Sequence, residues 1–142
     1  IFVISSSHKV KGRLAIIKCL IWAGFGLLVL YQVFISYSYG LIPSAAIIGW
    51  IGFSALLMNI FVTLLLGKFK DNDINIKSAF ICCRNDAIGN ILVILAGFLV
   101  YKLQSNWPDL VAGIIISTII LYSSISLGIE SYRVAKTGEY NV

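Results

Sequence analysis

One apolar run, residues 78–101, carries polar side chains that a hydrocarbon environment disfavours. Cys82, Asp86 and Asn90 are spaced at i, i+4 and i+8, so on a helix they form a stripe along one face. A thiol, a carboxylate and an amide offer sulfur, anionic oxygen and neutral oxygen to a cation, and two ligands one turn apart can supply half of a tetrahedral site. We therefore predict a metal site at Asp86 and Cys82, with Asn90 and Asn59 as additional candidate ligands.

Structural explanations compete with the chemical one for most of these side chains. Asn59, deep in the run at 42–67, fits an interhelical hydrogen bond, because amides join membrane helices. Cys82 also fits a small apolar residue, and Arg84 fits a side chain that extends to the surface or pairs with a carboxylate. An intramembrane aspartate is a functional candidate by default, so Asp86 leads the set, with pairing to Arg84 as its alternative.

The only histidine, His8, follows three serines near the start of the chain. A nucleophile in the apolar runs therefore has no histidine base beside it, and the His-Glu-x-x-His pattern of metalloproteases is absent. We predict that the chain is not an enzyme, has no catalytic residues and carries no cofactor.

The composition is that of an integral membrane protein. Of 142 residues, 59% are hydrophobic and 12% are charged, and the mean hydropathy is +0.95. Soluble domains are about half apolar and about a quarter charged. The net charge of +5 comes from 11 basic and 6 acidic residues that form no dense patch, which argues against nucleic-acid binding.

Four long apolar runs fill most of the chain, at residues 14–37, 42–67, 78–101 and 109–130. Each has at least the ~20 residues that cross a bilayer, and lipid requires such runs to be helices because every backbone amide must be satisfied internally. The sequence thus predicts an all-α membrane protein, a polytopic transmembrane helix bundle with four full helices in one domain over residues 1–142.

Basic residues predict the orientation of these helices. Nine of the eleven fall on one side of an alternating topology: Lys9, Lys11, Arg13, Lys18, Lys68, Lys70, Lys77, Arg133 and Lys136. The positive-inside rule therefore places both visible chain ends and the loop at 68–77 in the cytoplasm.

Smaller features of the sequence indicate how the helices pack and begin. Small residues spaced four apart in the last run indicate close helix packing: Gly113, Ser117, Ser124 and Gly128. Asp71 and Asp73 are expected to cap the third helix, and Asp109 to favour the start of the fourth.

The sequence resembles the cation diffusion facilitator, or cation efflux, family. Arg-Asn-Asp-Ala-Ile-Gly-Asn at 84–90 is similar to part of the family's fifth transmembrane helix, and Trp-Pro-Asp at 107–109 to the start of its sixth. Asn59 resembles the asparagine of the fourth helix, and Lys-Gly-Arg-Leu-Ala at 11–15 the basic loop before the third. The resemblance implies the third to sixth helices of a six-helix domain, with the tail of the second at 1–6.

That resemblance implies a proton-coupled exporter of divalent metals such as zinc, usually a homodimer, with its site between the second and fifth helices. Asp86 matches the aspartate of the fifth-helix ligand pair, and Cys82 occupies a position where many members carry histidine or aspartate. A cysteine followed by Arg-Asn-Asp is similar to a short bacterial branch without the cytoplasmic metal-binding domain, which implies the bacterial inner membrane. The acidic ligand pair of the second helix is absent from these residues.

We therefore expect efflux of a divalent metal cation, with zinc favoured because thiolate suits soft or borderline ions. The expected partners are the metal ion, protons and the lipid bilayer, since metal ligands must be deprotonated and protonation expels the metal. The alternatives are a non-transporting membrane subunit or scaffold, or a small four-helix multidrug exporter. An exporter of that kind is expected to carry a carboxylate in its first span, and residues 14–37 contain none.

Overall fold

Four α-helices account for almost all of the computed structural model, which describes residues 7–40 and 45–139, the side chains of 45–51 excepted. They are α1 (His8–Tyr39), α2 (Ala45–Gly67), α3 (Ile74–Leu103) and α4 (Trp107–Thr137). α1, α3 and α4 are each long and apolar enough to cross a membrane, and α2 is apolar over its segment Gly52–Gly67. The predicted helical membrane bundle is confirmed, whereas the proposed tail of a preceding helix, residues 1–6, lies outside the described residues.

The first turn of α3 shows why that helix begins where it does. Asp73 is extended, and its side chain accepts a hydrogen bond from the backbone N–H of Asn75 at 2.8 Å. This satisfies one of the amides that have no partner within the helix. The same carboxylate lies 2.6 Å from Nζ of Lys11 on α1, so the expected cap also joins two helices.

The tightest contact in the bundle joins α1 to α4, which run antiparallel. Gly12 lies so close to α4 that a Cβ atom there would be 2.6 Å from the backbone nitrogen of Ala135. Ser117 and Ser124 are almost fully buried, and Gly113 lies against Val33 of α1. Small residues let helix backbones approach in lipid, so α4 packs as its sequence predicts. The matching glycine on α1 was not predicted.

α3 occupies the centre of the described bundle, because it packs against all three other helices. Among the described residues, α2 contacts α3 and neither of the other two helices. The side chains of α3 that face these neighbours are covered, whereas Ile88 and Ile91 near its middle are 39% and 44% exposed. The stripe residues Cys82, Asp86 and Asn90 are each partly buried.

Polar contacts gather the basic segments at one end of the bundle. Lys18 of α1 donates to Oδ1 of Asn75 at 3.1 Å, and Nζ of Lys77 lies 2.7 Å from Glu130 of α4. At the opposite end, Asn106 donates through Nδ2 to the backbone carbonyl of Ser36 at 3.3 Å. The start of α1, the start of α3 and the end of α4 thus share one end, as an alternating topology requires.

We predict opposite outcomes for two glycine substitutions in α1. Gly12→Ala forces a methyl group into the α4 backbone, and overpacking of this kind costs about 1–3 kcal/mol. Gly24→Ala meets nothing within 4 Å and gains about 1 kcal/mol of helix propensity. Thermal unfolding followed by circular dichroism in detergent should show a lower Tm for Gly12→Ala and an equal or higher Tm for Gly24→Ala. Equal shifts in the two variants would contradict the close α1–α4 approach.

Candidate metal centre

Asp86 lies near the middle of α3 and lines an open cavity of about 280 Å³ with residues of α2, α3 and α4. The same cavity is lined by Asn90 from α3, by Asn59 from α2, and by Ile116 and Ile120 from α4. Three of the four side chains that the sequence nominates therefore meet at one place. The i+4 spacing accounts for Asp86 and Asn90, whereas Asn59 joins them only because α2 packs on α3.

Cys82 lies one turn before Asp86 and contacts it directly. Its Sγ donates to Oδ2 of Asp86 at 3.8 Å, a distance suited to a weak thiol hydrogen bond. Cys82 itself lines a separate cavity of about 350 Å³, mainly between α1 and α3, together with Cys19 and Cys83. All three cysteines are free thiols. The contact at Cys82 therefore connects the thiol-lined cavity to the carboxylate-lined one.

Asp86 has no basic partner within salt-bridge distance in the part of the chain that the structure describes. The ion pairs found there are Lys11 with Asp73 and Lys77 with Glu130. Arg84 is exposed and donates instead to Oδ1 of Asn85, through Nη2 at 3.3 Å. The pairing of Arg84 with Asp86 that the sequence left open is thus not what the structure shows.

An ionised carboxylate at the middle of a membrane helix costs about 3 kcal/mol unless something compensates its charge. Because Asp86 has no ammonium or guanidinium group beside it in the described residues, two compensated states are available to it. The carboxyl group can be protonated, or it can bind a cation. The two states exclude one another at the same oxygen atoms.

Asn85 is a buried residue of this site that sequence reasoning missed. Its side chain is only 4% exposed, and Nδ2 donates to Oγ of Ser123 on α4 at 2.7 Å. Asn85 also lines the cavity beside Asp86, so this hydrogen bond fixes α3 against α4 next to the carboxylate. Asn85 lies off the stripe of residues spaced at i+4, so spacing did not select it. The sequence does contain an amide in one apolar run and serines in another, and each of these polar groups needs a hydrogen-bond partner in lipid.

The donor set suits one part of a metal site. Within residues 7–40 and 45–139, no three His, Cys, Asp or Glu side chains gather closely enough to hold an ion. Asp86 and Cys82 have side chains that can carry negative charge, and Asn59 and Asn90 have neutral amide oxygens. Zinc sites in proteins usually have four ligands, so these residues can contribute to a coordination sphere without completing it.

The fold and the polar stripe define a multi-pass helical membrane protein, and comparison with known families specifies which kind. Residues 9–134 match the cation efflux transmembrane domain. Because that match covers most of the chain, the protein belongs to the cation efflux, or cation diffusion facilitator, family.

Two curated relatives carry the name cadmium, cobalt and zinc/H(+)-K(+) antiporter. The one from Bacillus velezensis is 28% identical over 116 residues, covering 79% of this chain and 36% of the relative. The one from Bacillus subtilis is 27% identical over 100 residues, covering 68% of this chain and 32% of the relative. The chain thus spans about a third of the length of these relatives. No solved structure matches the chain significantly.

We predict that Asn85 and Ser123 are energetically coupled. Replacing either residue with alanine leaves a buried polar partner unsatisfied, and interhelical hydrogen bonds in membranes contribute about 0.6–1.7 kcal/mol. A double-mutant cycle with Asn85→Ala and Ser123→Ala, measured as the free energy of unfolding in mixed detergent, should give a coupling energy in this range. Strictly additive effects would show that the two side chains do not share a hydrogen bond.

Proposed function

We propose that this chain is the α3-containing part of a transporter that exports divalent transition-metal cations in exchange for protons. The observation that carries the proposal is a carboxylate near the middle of a membrane helix, with a thiol at 3.8 Å, three amides in the same cavity, and no basic partner among the described residues. Membership of the cation efflux family supports it. In this proposal Asp86 and Cys82 are metal ligands, and the protein is not an enzyme.

The exchange of metal for protons follows from the chemistry of Asp86. A metal ion binds the deprotonated carboxylate and thiolate, so binding releases protons, and reprotonation of the same atoms expels the metal. A site open to the cytoplasm would load metal and release protons there. The same site open to the outside would take up protons and release metal, which couples the two flows without a separate proton pathway.

The proposed substrate is zinc or a similar transition ion. A thiolate at Cys82 favours soft and borderline cations, whereas magnesium and calcium prefer all-oxygen sites. The names of the two Bacillus relatives include cadmium, cobalt and zinc, and support a substrate from this group. The neutral oxygens of Asn59 and Asn90 add coordination capacity without adding charge to be neutralised.

The remaining ligands are proposed to come from a helix that precedes α1 in the parent protein. Family resemblance implies an acidic pair on the second helix of a six-helix domain, opposite the α3 stripe, and usually a homodimer. Two ligands from each helix would complete the four-coordinate sphere that zinc prefers. The positive-inside rule predicts that the lysine-rich end of the bundle, which holds the start of α1, the start of α3 and the end of α4, lies in the cytoplasm. The family resemblance predicts that the membrane is the bacterial inner membrane.

We expect Asp86→Asn to abolish zinc export and zinc-driven proton movement, because an amide cannot exchange a proton for a metal. The measurement is zinc flux in proteoliposomes that contain the full-length transporter with a trapped zinc-sensitive dye. The matched control is Asp109→Asn, which removes a carboxylate from the first turn of α4, away from the cavity. That control should retain at least about half of the flux.

Zinc binding provides a second measurement on the same variants. A ligand that binds only the folded protein raises its melting temperature, so zinc should stabilise the wild type and Asp109→Asn but not Asp86→Asn. Wild-type flux in Asp86→Asn would refute the site. Stabilisation without flux in the wild type would instead indicate a metal-binding subunit that does not transport.

We expect Cys82→Ser to change metal preference more than rate. A hydroxyl is a poorer ligand than thiolate for soft ions, so the ratio of cadmium to zinc transport should fall about tenfold or more. Cys83→Ser is the matched control, since Cys83 is the adjacent thiol and has no contact with Asp86 within hydrogen-bond distance. Equal changes in the two serine variants would show that Cys82 is not a ligand.

A further inference from the structure

A crevice of about 350 Å³ lies on the surface of the α1–α4 pair and is lined by these two helices alone. The small residues of its lining include Ala23, Ser124 and Gly128. The larger residues include Leu20, Ile125 and Tyr132. Each of the three larger side chains is more than 60% exposed in the described structure. In a membrane this surface meets lipid, and none of these residues belongs to the metal centre.

Basic residues continue both walls of the crevice at its lysine-rich end. On α1, Lys9 and Arg13 precede Ile16 by seven and three positions, so helical periodicity places all three on one face. On α4, Lys136 follows Tyr132 by four positions and shares its face in the same way. Lys9, Arg13 and Lys136 are all exposed, and none takes part in an ion pair within the described residues.

The two groups of basic residues lie at the same end of the helix pair. The side chain of Lys9 crosses the end of α4, where its Cε would be 3.1 Å from a Cβ atom at Gly138. Glu130 is held by Lys77 on the α3 side, and Asp73 is held by Lys11. Glu139 is the described carboxylate that follows α4 directly, so Lys9, Arg13 and Lys136 outnumber the free carboxylates described at this end of the helix pair.

We propose that this crevice binds an anionic phospholipid. Its phosphate would lie against Lys9, Arg13 and Lys136, and one acyl chain would follow the apolar lining toward Ala23. Basic pockets between transmembrane helices on the cytoplasmic side attract anionic head groups in this way. None of the candidate metal ligands lines this crevice.

Charge selects a phospholipid over a second copy of the chain as the occupant. A two-fold symmetric interface centred on this crevice would place the same surface patch of both copies face to face. Lys9, Arg13 and Lys136 of one copy would then approach those of the other, and like charges repel one another. A phosphate diester instead neutralises the mouth while its hydrocarbon fills the apolar lining.

Native mass spectrometry of the purified chain in neutral detergent tests this proposal, with equimolar phosphatidylglycerol and phosphatidylcholine added. The wild type should retain phosphatidylglycerol preferentially, as one bound lipid per chain. Arg13→Gln with Lys136→Gln should lower that preference about thirtyfold, because it removes two cations at the membrane surface. The matched control, Lys68→Gln with Lys70→Gln, removes the same charge at the same end of the bundle, in the loop between α2 and α3, and should leave the preference unchanged.

A third variant separates the hydrocarbon contact from the charge. Gly128→Leu introduces a side chain at the crevice, and its Cβ meets only Cys19 Cβ, at 3.9 Å, so we expect the fold to tolerate it. It should reduce retention of both lipids, with the helical circular dichroism spectrum unchanged. Equal retention of the two lipids by the wild type, or an equal loss of preference in both double variants, would overturn the proposal. So would a dimer that excludes lipid.

Discussion

The hydrocarbon of a membrane offers no hydrogen-bond donor or acceptor to a polar group, and the rest of the structure depends on this constraint. The backbone satisfies its own polar groups by forming helices. Many polar side chains form hydrogen bonds within or between helices. Ser117 and Thr118 donate to the carbonyl of Ile114, and Asn85 donates to Ser123 across the α3–α4 contact. Some buried polar atoms have no partner in the described residues, among them Oγ of Ser124 and Oγ of Ser131. The carboxyl group of Asp86 has only the weak thiol donor of Cys82 there. Because the negative charge of this carboxylate has so little compensation, a bound cation would stabilise it more than any other polar group of the bundle.

The bundle divides into a tightly packed pair and a more open side. α1 and α4 approach through glycine and serine until backbone meets backbone at Gly12. α2 packs on α3 alone, and residues of α2, α3 and α4 line the open cavity at Asp86. Ligand exchange requires space that close packing removes. The close packing of α1 against α4 therefore stabilises one side of the bundle, while the looser packing around α2 and α3 leaves room for a polar cavity.

Spacing along the chain was enough to nominate Cys82, Asp86 and Asn90, because a helix places i and i+4 on one face whatever surrounds it. The apolar runs were likewise enough to locate the helices, since lipid admits few other structures. The ends were less accurate: α4 continues to Thr137, beyond the apolar run that stops at 130. Polar residues extend a helix into the interface without contributing to its hydropathy.

The spacing of residues along the chain did not predict which polar side chains form hydrogen bonds with one another. Arg84 is two residues from Asp86 in sequence but donates to Asn85, and Asn85 takes its second partner, Ser123, from 38 positions away. The sequence by itself determined the helices, the charge asymmetry and the stripe, because periodicity and hydropathy are local properties of a chain. Only the tertiary structure decided that Asn59 joins the cavity and that Cys82 lies between two cavities. Those outcomes depend on the rotation and register of each helix, which are set by contacts between residues far apart in sequence.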